Sequence, residues 1–119
     1  MADDQDWARP VVHFEIEAND PDVLVPFYEA MFHWSVGDGF IRTFPAGLGG
    51  PEPGPAGHFR KSERSGVTLY VQVRDLVASL AQAESLGGTV TLPPFDVPGG
   101  PTIAGITDPE GNPVTLVQQ

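Results

Sequence analysis

Two stretches 55 residues apart carry the same pattern. His13-Phe-Glu-Ile-Glu-Ala-Asn-Asp20 is a short alternating run that ends in an acidic helix start, and Thr68-Leu-Tyr-Val-Gln-Val-Arg-Asp75 repeats it with Asp75 in the place of Asp20. An amphipathic helical stretch follows each, Asp20 to Phe32 and then Asp75 to Leu86. Such a repeat predicts two copies of one supersecondary unit, each needing the other to bury its apolar face. Two half-sheets brought together also make a concave surface, and a small-molecule site needs concavity.

Within the first copy, Val12, Phe14 and Ile16 alternate with His13, Glu15 and Glu17, which predicts a half-buried strand. Asp20 is placed to cap a helix whose first position is Pro21. Leu24, Phe27, Tyr28, Met31 and Phe32 then form an apolar stripe, while Pro26 weakens the helix slightly. Strands are expected over Phe40 to Phe44 and Ala56 to Lys61. In the second copy Val67, Leu69, Val71 and Val73 face one way and Thr68, Tyr70 and Gln72 the other. Leu76, Leu80, Ala83 and Leu86 form the helical stripe, and Gly87-Gly88 should end it in a left-handed conformation. Thr89 to Leu92, Thr102 to Thr107 and Pro113 to Gln118 read as strands, with Asp108-Pro-Glu-Gly111 as a turn. Glycine and proline crowd Pro45 to Gly57, a candidate flap, and Pro93 to Pro101, a second loop. Each half is thus strand, helix, then up to three strands.

At 119 residues the chain reads as one domain. Module one covers about 11–61 and module two about 66–118, after an N-terminal tail at 1–10. With no cysteine, disulfides, thiolate metal sites and cysteine nucleophiles are excluded. The formal net charge is −10, and the one basic cluster, Arg60, Lys61 and Arg64, is interrupted by Glu63. Nucleic acid and anionic membrane surfaces are therefore rejected as partners, because both require clustered cations. No apolar run approaches the ~20 residues of a bilayer span, and the acidic first ten residues lack the basic start of a secretory signal. A cytoplasmic location is the default expectation.

Val12-His-Phe-Glu-Ile16, Asn19-Asp-Pro21, Phe27-Tyr28, Phe32-His-Trp34, Gly87-Gly88 and Asp108-Pro-Glu-Gly-Asn112, in this order, resemble the vicinal oxygen chelate superfamily. That superfamily holds the glyoxalase I, bleomycin-resistance and extradiol dioxygenase proteins, and the chain is most similar to its small glyoxalase-like members. The resemblance runs from Val11 to the C-terminus. It implies an α+β fold in which two βαβββ modules in tandem form a curved, barrel-like, mostly antiparallel sheet around a cavity. The helices would lie on its outer face, and the protein would be a homodimer. In metal-binding members a divalent cation is held by a His on the first strand of each module and a Glu, or similar residue, on the last. Carried over, His13 fits the first position, Thr68 falls on the second His and Thr115 on the final Glu. The last strand of module one offers His58 or Arg60. Hydroxyls are poor ligands for zinc or nickel, so no cofactor is expected, although a divalent metal is possible.

Alternation supports a compatible site. It places His13, Glu15 and Glu17 on the face away from the helix, Thr68, Tyr70 and Gln72 on the matching face of module two, and Thr115 there too if Val114 and Leu116 pack under the helices. The expected ligand-binding cavity is therefore His13, Glu15, His58, Thr68, Tyr70, Gln72 and Thr115. The function expected is binding of a small organic molecule in the concave sheet without the full metal-ligand set. The alternative is a metal-dependent lyase, isomerase or dioxygenase using His13 and a non-standard set, such as His13, Glu15 or Glu17, and His58. His33 reads as a helix-end cap, Trp34 as a packing residue and Asp108 as turn chemistry. Ser62 and Ser65 have no special setting.

Overall fold

In the computed structural model, residues 8–32, 34–44 and 55–119 are described. They form β1 (Val11–Ala18), α1 (Pro21–Phe32), β2 (Arg42–Phe44), β3 (Ala56–Lys61), β4 (Gly66–Val73), α2 (Leu76–Ser85), β5 (Thr89–Asp96), β6 (Thr102–Thr107) and β7 (Pro113–Gln118). The result is an α+β fold with a seven-stranded mixed sheet in the order β2-β3-β1-β4-β7-β6-β5. The chain divides into two units, one of residues 12–70 and one that joins residues up to Val11 to residues 71–119, so that β4 passes from one into the other.

In the unit of residues 12–70, β1 and β3 run parallel, with Glu15 opposite His58 and Glu17 opposite Arg60. β2 pairs antiparallel with the far side of β3. The start of α1 is held as its local sequence predicts. Pro21 is its first residue, and the Asp22 N–H donates to the Asp20 carboxylate at 3.2 Å. Val25 from α1 meets Ile16, Phe44 and Phe59 in the core, and Phe14, Leu24, Tyr28 and Trp34 pack against them. Trp34 lies flat on Phe44 at 4.4 Å and on Tyr28 at 5.3 Å, which makes it a packing residue as expected. β3 approaches this cluster through Gly57. A Cβ there would fall 2.5 Å from the Phe44 ring and 2.9 Å from the Phe14 carbonyl oxygen.

The second unit is a helix on an antiparallel meander. Asp75 caps α2 by accepting from the Ala78 N–H at 3.0 Å. At the other end Gly87 takes φ +96°. Its N–H reaches the Glu84 carbonyl at 3.2 Å, and the Gly88 N–H reaches that of Ala83 at 2.8 Å, closing the helix with two crossed bonds. Val73, Leu76, Leu80, Ala104 and Leu116 form its core, with Val90, Ile106 and Val114 against it. The Asp108 carboxylate accepts from the Glu110 and Asn112 N–H groups, so this segment is a turn.

Several expectations are corrected. Module two is the full βαβββ, and among the described residues module one shows two strands after its helix. β2 starts at Arg42 rather than Phe40, because Phe40 is 86% exposed and has no core to enter. β5 continues through Pro93 and Pro94 to Asp96, where a loop was expected. Its register against β6 shifts there, and a shifted outer strand tolerates residues without an N–H. Leu69 does not lie under a helix but is 45% exposed; the core against α2 draws instead on Val73, Leu80, Ala104 and Leu116. His33 and most of the candidate flap, residues 45–54, lie outside the described residues.

Candidate functional site

Four of the seven cavity residues expected from the sequence meet in the unit of residues 12–70. The His13 Nε2 lies 2.7 Å from the His58 Nδ1, and the His58 Nε2 lies 2.8 Å from the Glu15 Oε2. The Tyr70 ring stands edge-on to both imidazoles, with centroids 5.0 Å from His13 and 5.8 Å from His58. Parallel pairing of β1 with β3 accounts for this convergence. It sets Glu15 directly opposite His58, and alternation along each strand then aims His13, Glu15, His58 and Arg60 to the same side. Thr68, on the Tyr70 side of β4 by alternation, is buried. Gln72 and Thr115 belong to the other unit and are half-buried; the Gln72 N–H donates to the Pro10 carbonyl, and Thr115 pairs with Gly105 across β7 and β6.

Beneath the imidazoles sits an ion network that the sequence did not announce. Arg60 donates from Nε to the Glu15 Oε2 at 2.8 Å, and from Nη2 to the Glu15 Oε1 at 3.3 Å and the Glu17 Oε2 at 3.0 Å. Glu17 also accepts from the Ser62 hydroxyl at 2.9 Å and the Arg64 Nε at 3.1 Å, so Ser62 does have a setting. Glu15 and Glu17 are both buried. Burial pushes the Glu15 carboxyl up, but hydrogen bonds from His58 and Arg60 and the guanidinium charge outweigh it and hold the group at about 2. Glu17 is lowered as well, against its own burial, by Arg64 and Ser62. The missed signal was the alternation of His58, Arg60 and Ser62, whose cationic and donor groups complement Glu15 and Glu17 one strand away.

An ionised Glu15 fixes the tautomers of both imidazoles in the neutral state. A carboxylate only accepts, so the His58 Nε2 carries its hydrogen and its Nδ1 is an acceptor. The His13 Nε2 must then donate to that Nδ1, which leaves the lone pair of the His13 Nδ1 as the outer end of the relay. Burial lowers the His13 pKa, His58 lowers it further, and Glu15 raises it less, so His13 is neutral at pH 7. The arrangement can accept a hydrogen bond or a proton at one defined atom.

The same geometry does not fit a metal ion bound by His13, His58 and Glu15 together. His58 uses its two nitrogens on opposite partners, so its ring stands between His13 and Glu15 and the three donors do not converge. Arg60 occupies both oxygens of Glu15. Among the described residues no three His, Asp or Glu side chains are grouped as a metal would need. A cleft of about 420 Å³ lies at the start of α1, between Asp20, Asp22, Phe40, Arg42 and Lys61. Its cations are spent on Asp22 and the Asn19 carbonyl, so the convergent chemistry is at the relay instead.

The sequence profile of a glyoxalase-like domain matches residues 13–117. No curated protein matches the chain. Among solved structures, a hypothetical protein from Bacillus halodurans C-125 superposes with a TM-score of 0.67 at 11% identity, covering 95% of this chain and 96% of that one. Methylmalonyl-CoA epimerase from Streptomyces coelicolor, in complex with 2-nitronate-propionyl-CoA, gives 0.64 at 18% identity over 96% of this chain and 99% of that one. The epimerase from Mycobacterium tuberculosis gives 0.62 at 18% identity over 91% and 86%. At these identities the likeness is one of fold.

Proposed function

Because the chain belongs to the glyoxalase-like domain family, we propose that it binds a small organic molecule on the face carrying His13, Glu15, His58 and Tyr70. Thr68, buried on the Tyr70 side of β4, completes the lining in this reading. The observation that carries it is the Glu15–His58–His13 relay, in which each polar group is held by the one behind it. A locked acceptor needs no reorganisation when a ligand arrives, so less of the contact energy is lost to ordering. Tyr70 adds an aromatic edge and a hydroxyl. The complexes of coenzyme A esters with the epimerases support a small-molecule ligand for this fold without naming one here.

A second reading, favoured by the relay's direction, is metal-free proton transfer. His13 would take a substrate proton at Nδ1 while passing its Nε2 proton to the His58 Nδ1, leaving a His58 imidazolium against Glu15. General base catalysis by a positioned imidazole contributes typically 10²–10⁴-fold. In either reading the protein acts as a homodimer in the cytoplasm and takes neither nucleic acid nor a membrane as partner.

The test is a thermal-shift screen of small metabolites against the wild type, followed by calorimetry on Tyr70→Ala and His13→Ala. A ligand should raise the melting temperature in proportion to its affinity, and each substitution should weaken it at least tenfold while circular dichroism stays unchanged. Ligands whose affinity is indifferent to both substitutions would place binding elsewhere and end this reading.

A further inference from the structure

The donor set that fails to form a metal cage is organised around a cation of its own. We propose that the Arg60 guanidinium takes the place of the divalent ion in this site, so that the site accepts an anionic small molecule, through a carboxylate oxygen, without a metal. This rests on the reading of the His13 and Tyr70 face as a binding site.

Three observations lead there. Arg60 grips Glu15 through two bonds and reaches Glu17 with the same Nη2, so it neutralises the carboxylates on which a divalent ion would depend. A second cation brought to Glu15 would meet a fixed positive charge within a few ångströms, and the carboxylate has no uncommitted oxygen to offer it. The cluster is also layered by charge. The Glu15 and Glu17 side chains are 9% and 4% exposed, whereas those of Arg60 and Arg64 are 40% and 70% exposed. What a ligand meets is guanidinium, although the chain as a whole carries −10. Finally, Arg60 spends Nε and Nη2 on the carboxylates, and among the described residues its Nη1 makes no hydrogen bond. The paired fork of Nε and Nη2 is spent on the glutamates, so Arg60 meets an anion with its charge and a single charge-assisted N–H bond from Nη1.

The test titrates the full-length protein with zinc chloride by calorimetry, and with acetate and acetamide by NMR, following the Arg60 Nε–H and His13 ring signals. The wild type should bind no stoichiometric zinc. Arg60→Met, which keeps the apolar stem and removes the charge, should weaken acetate at least tenfold, read at the His13 ring signals. Acetate should shift both signals saturably, and acetamide should be at least tenfold weaker. Stoichiometric zinc on the wild type, a folded Arg60→Met variant that binds acetate as the wild type does, or acetamide equal to acetate would each overturn the proposal. If Arg60→Met does not fold, the wild-type titrations still decide. A neutral ligand that depends on His13 and Tyr70, with acetate inert, would sink this inference and leave the binding site standing. Signals untouched by acetate and by every screened metabolite would remove both.

Discussion

A carboxylate as buried as that of Glu15 gives up most of its hydration, and two bonds from Arg60 and one from His58 replace it. Because its folded pKa is depressed from 4.5 to about 2, its contribution to stability is complete above pH 4.5 and is lost as pH falls towards 2. The full drop corresponds to roughly 3 kcal/mol as an upper figure. His13 acts earlier: its depressed pKa means that stability begins to erode as pH falls below 6.5. Urea melts between pH 7.5 and 3 should therefore show a shallow loss starting below 6.5 and a steeper one below 4.5. Glu15→Gln should flatten the acid part of that profile. A wild-type profile level down to pH 3.5 would contradict this account of the network. At this scale the polar side of β1 was legible, because alternation alone puts His13 with Glu15. The role of Arg60 was not, since it depends on a parallel register between strands some 45 residues apart that no local pattern encodes.

For the elements, local chemistry and long-range packing can be separated by substitution. Gly57→Ala drives a Cβ into the Phe44 ring and a backbone oxygen of β1, neither of which can yield without moving a strand, so a loss of about 2–3 kcal/mol is expected in denaturant melts. Leu80→Ala empties part of the core against α2 and should cost roughly 2–5 kcal/mol. Leu69→Ala, at a position 45% exposed, should cost less than about 1 kcal/mol by the same measurement. Equal losses at Leu69 and Leu80 would mean that the core has been misplaced. Helix limits were readable because Asp20-Pro21, Asp75 and Gly87-Gly88 act within a turn of chain. The short β2 and the long β5 were not, because their lengths are set by the strands they pair with rather than by their own residues.

Among the described residues, the outermost strands of the sheet are β2, with three residues, and β5, which carries Pro93 and Pro94 at its register shifts. Short or proline-bearing edges resist addition of a further strand. The expected homodimer should accordingly form without edge-to-edge pairing at β5. Light scattering should report a dimer for the wild type, and a variant with Pro93→Val and Pro94→Val should add higher species as the missing donors return. A monomer at micromolar concentrations would count against the dimer. The division of the chain also sets an order of events during synthesis. Residues 12–70 are contiguous, so that unit has all its parts once Tyr70 has left the ribosome. The residues just ahead of Val12 emerge earlier yet belong with the later half, where the Pro10 carbonyl waits for the Gln72 N–H. The Pro10 carbonyl therefore stays without this partner until Gln72, two residues after Tyr70, has emerged as well.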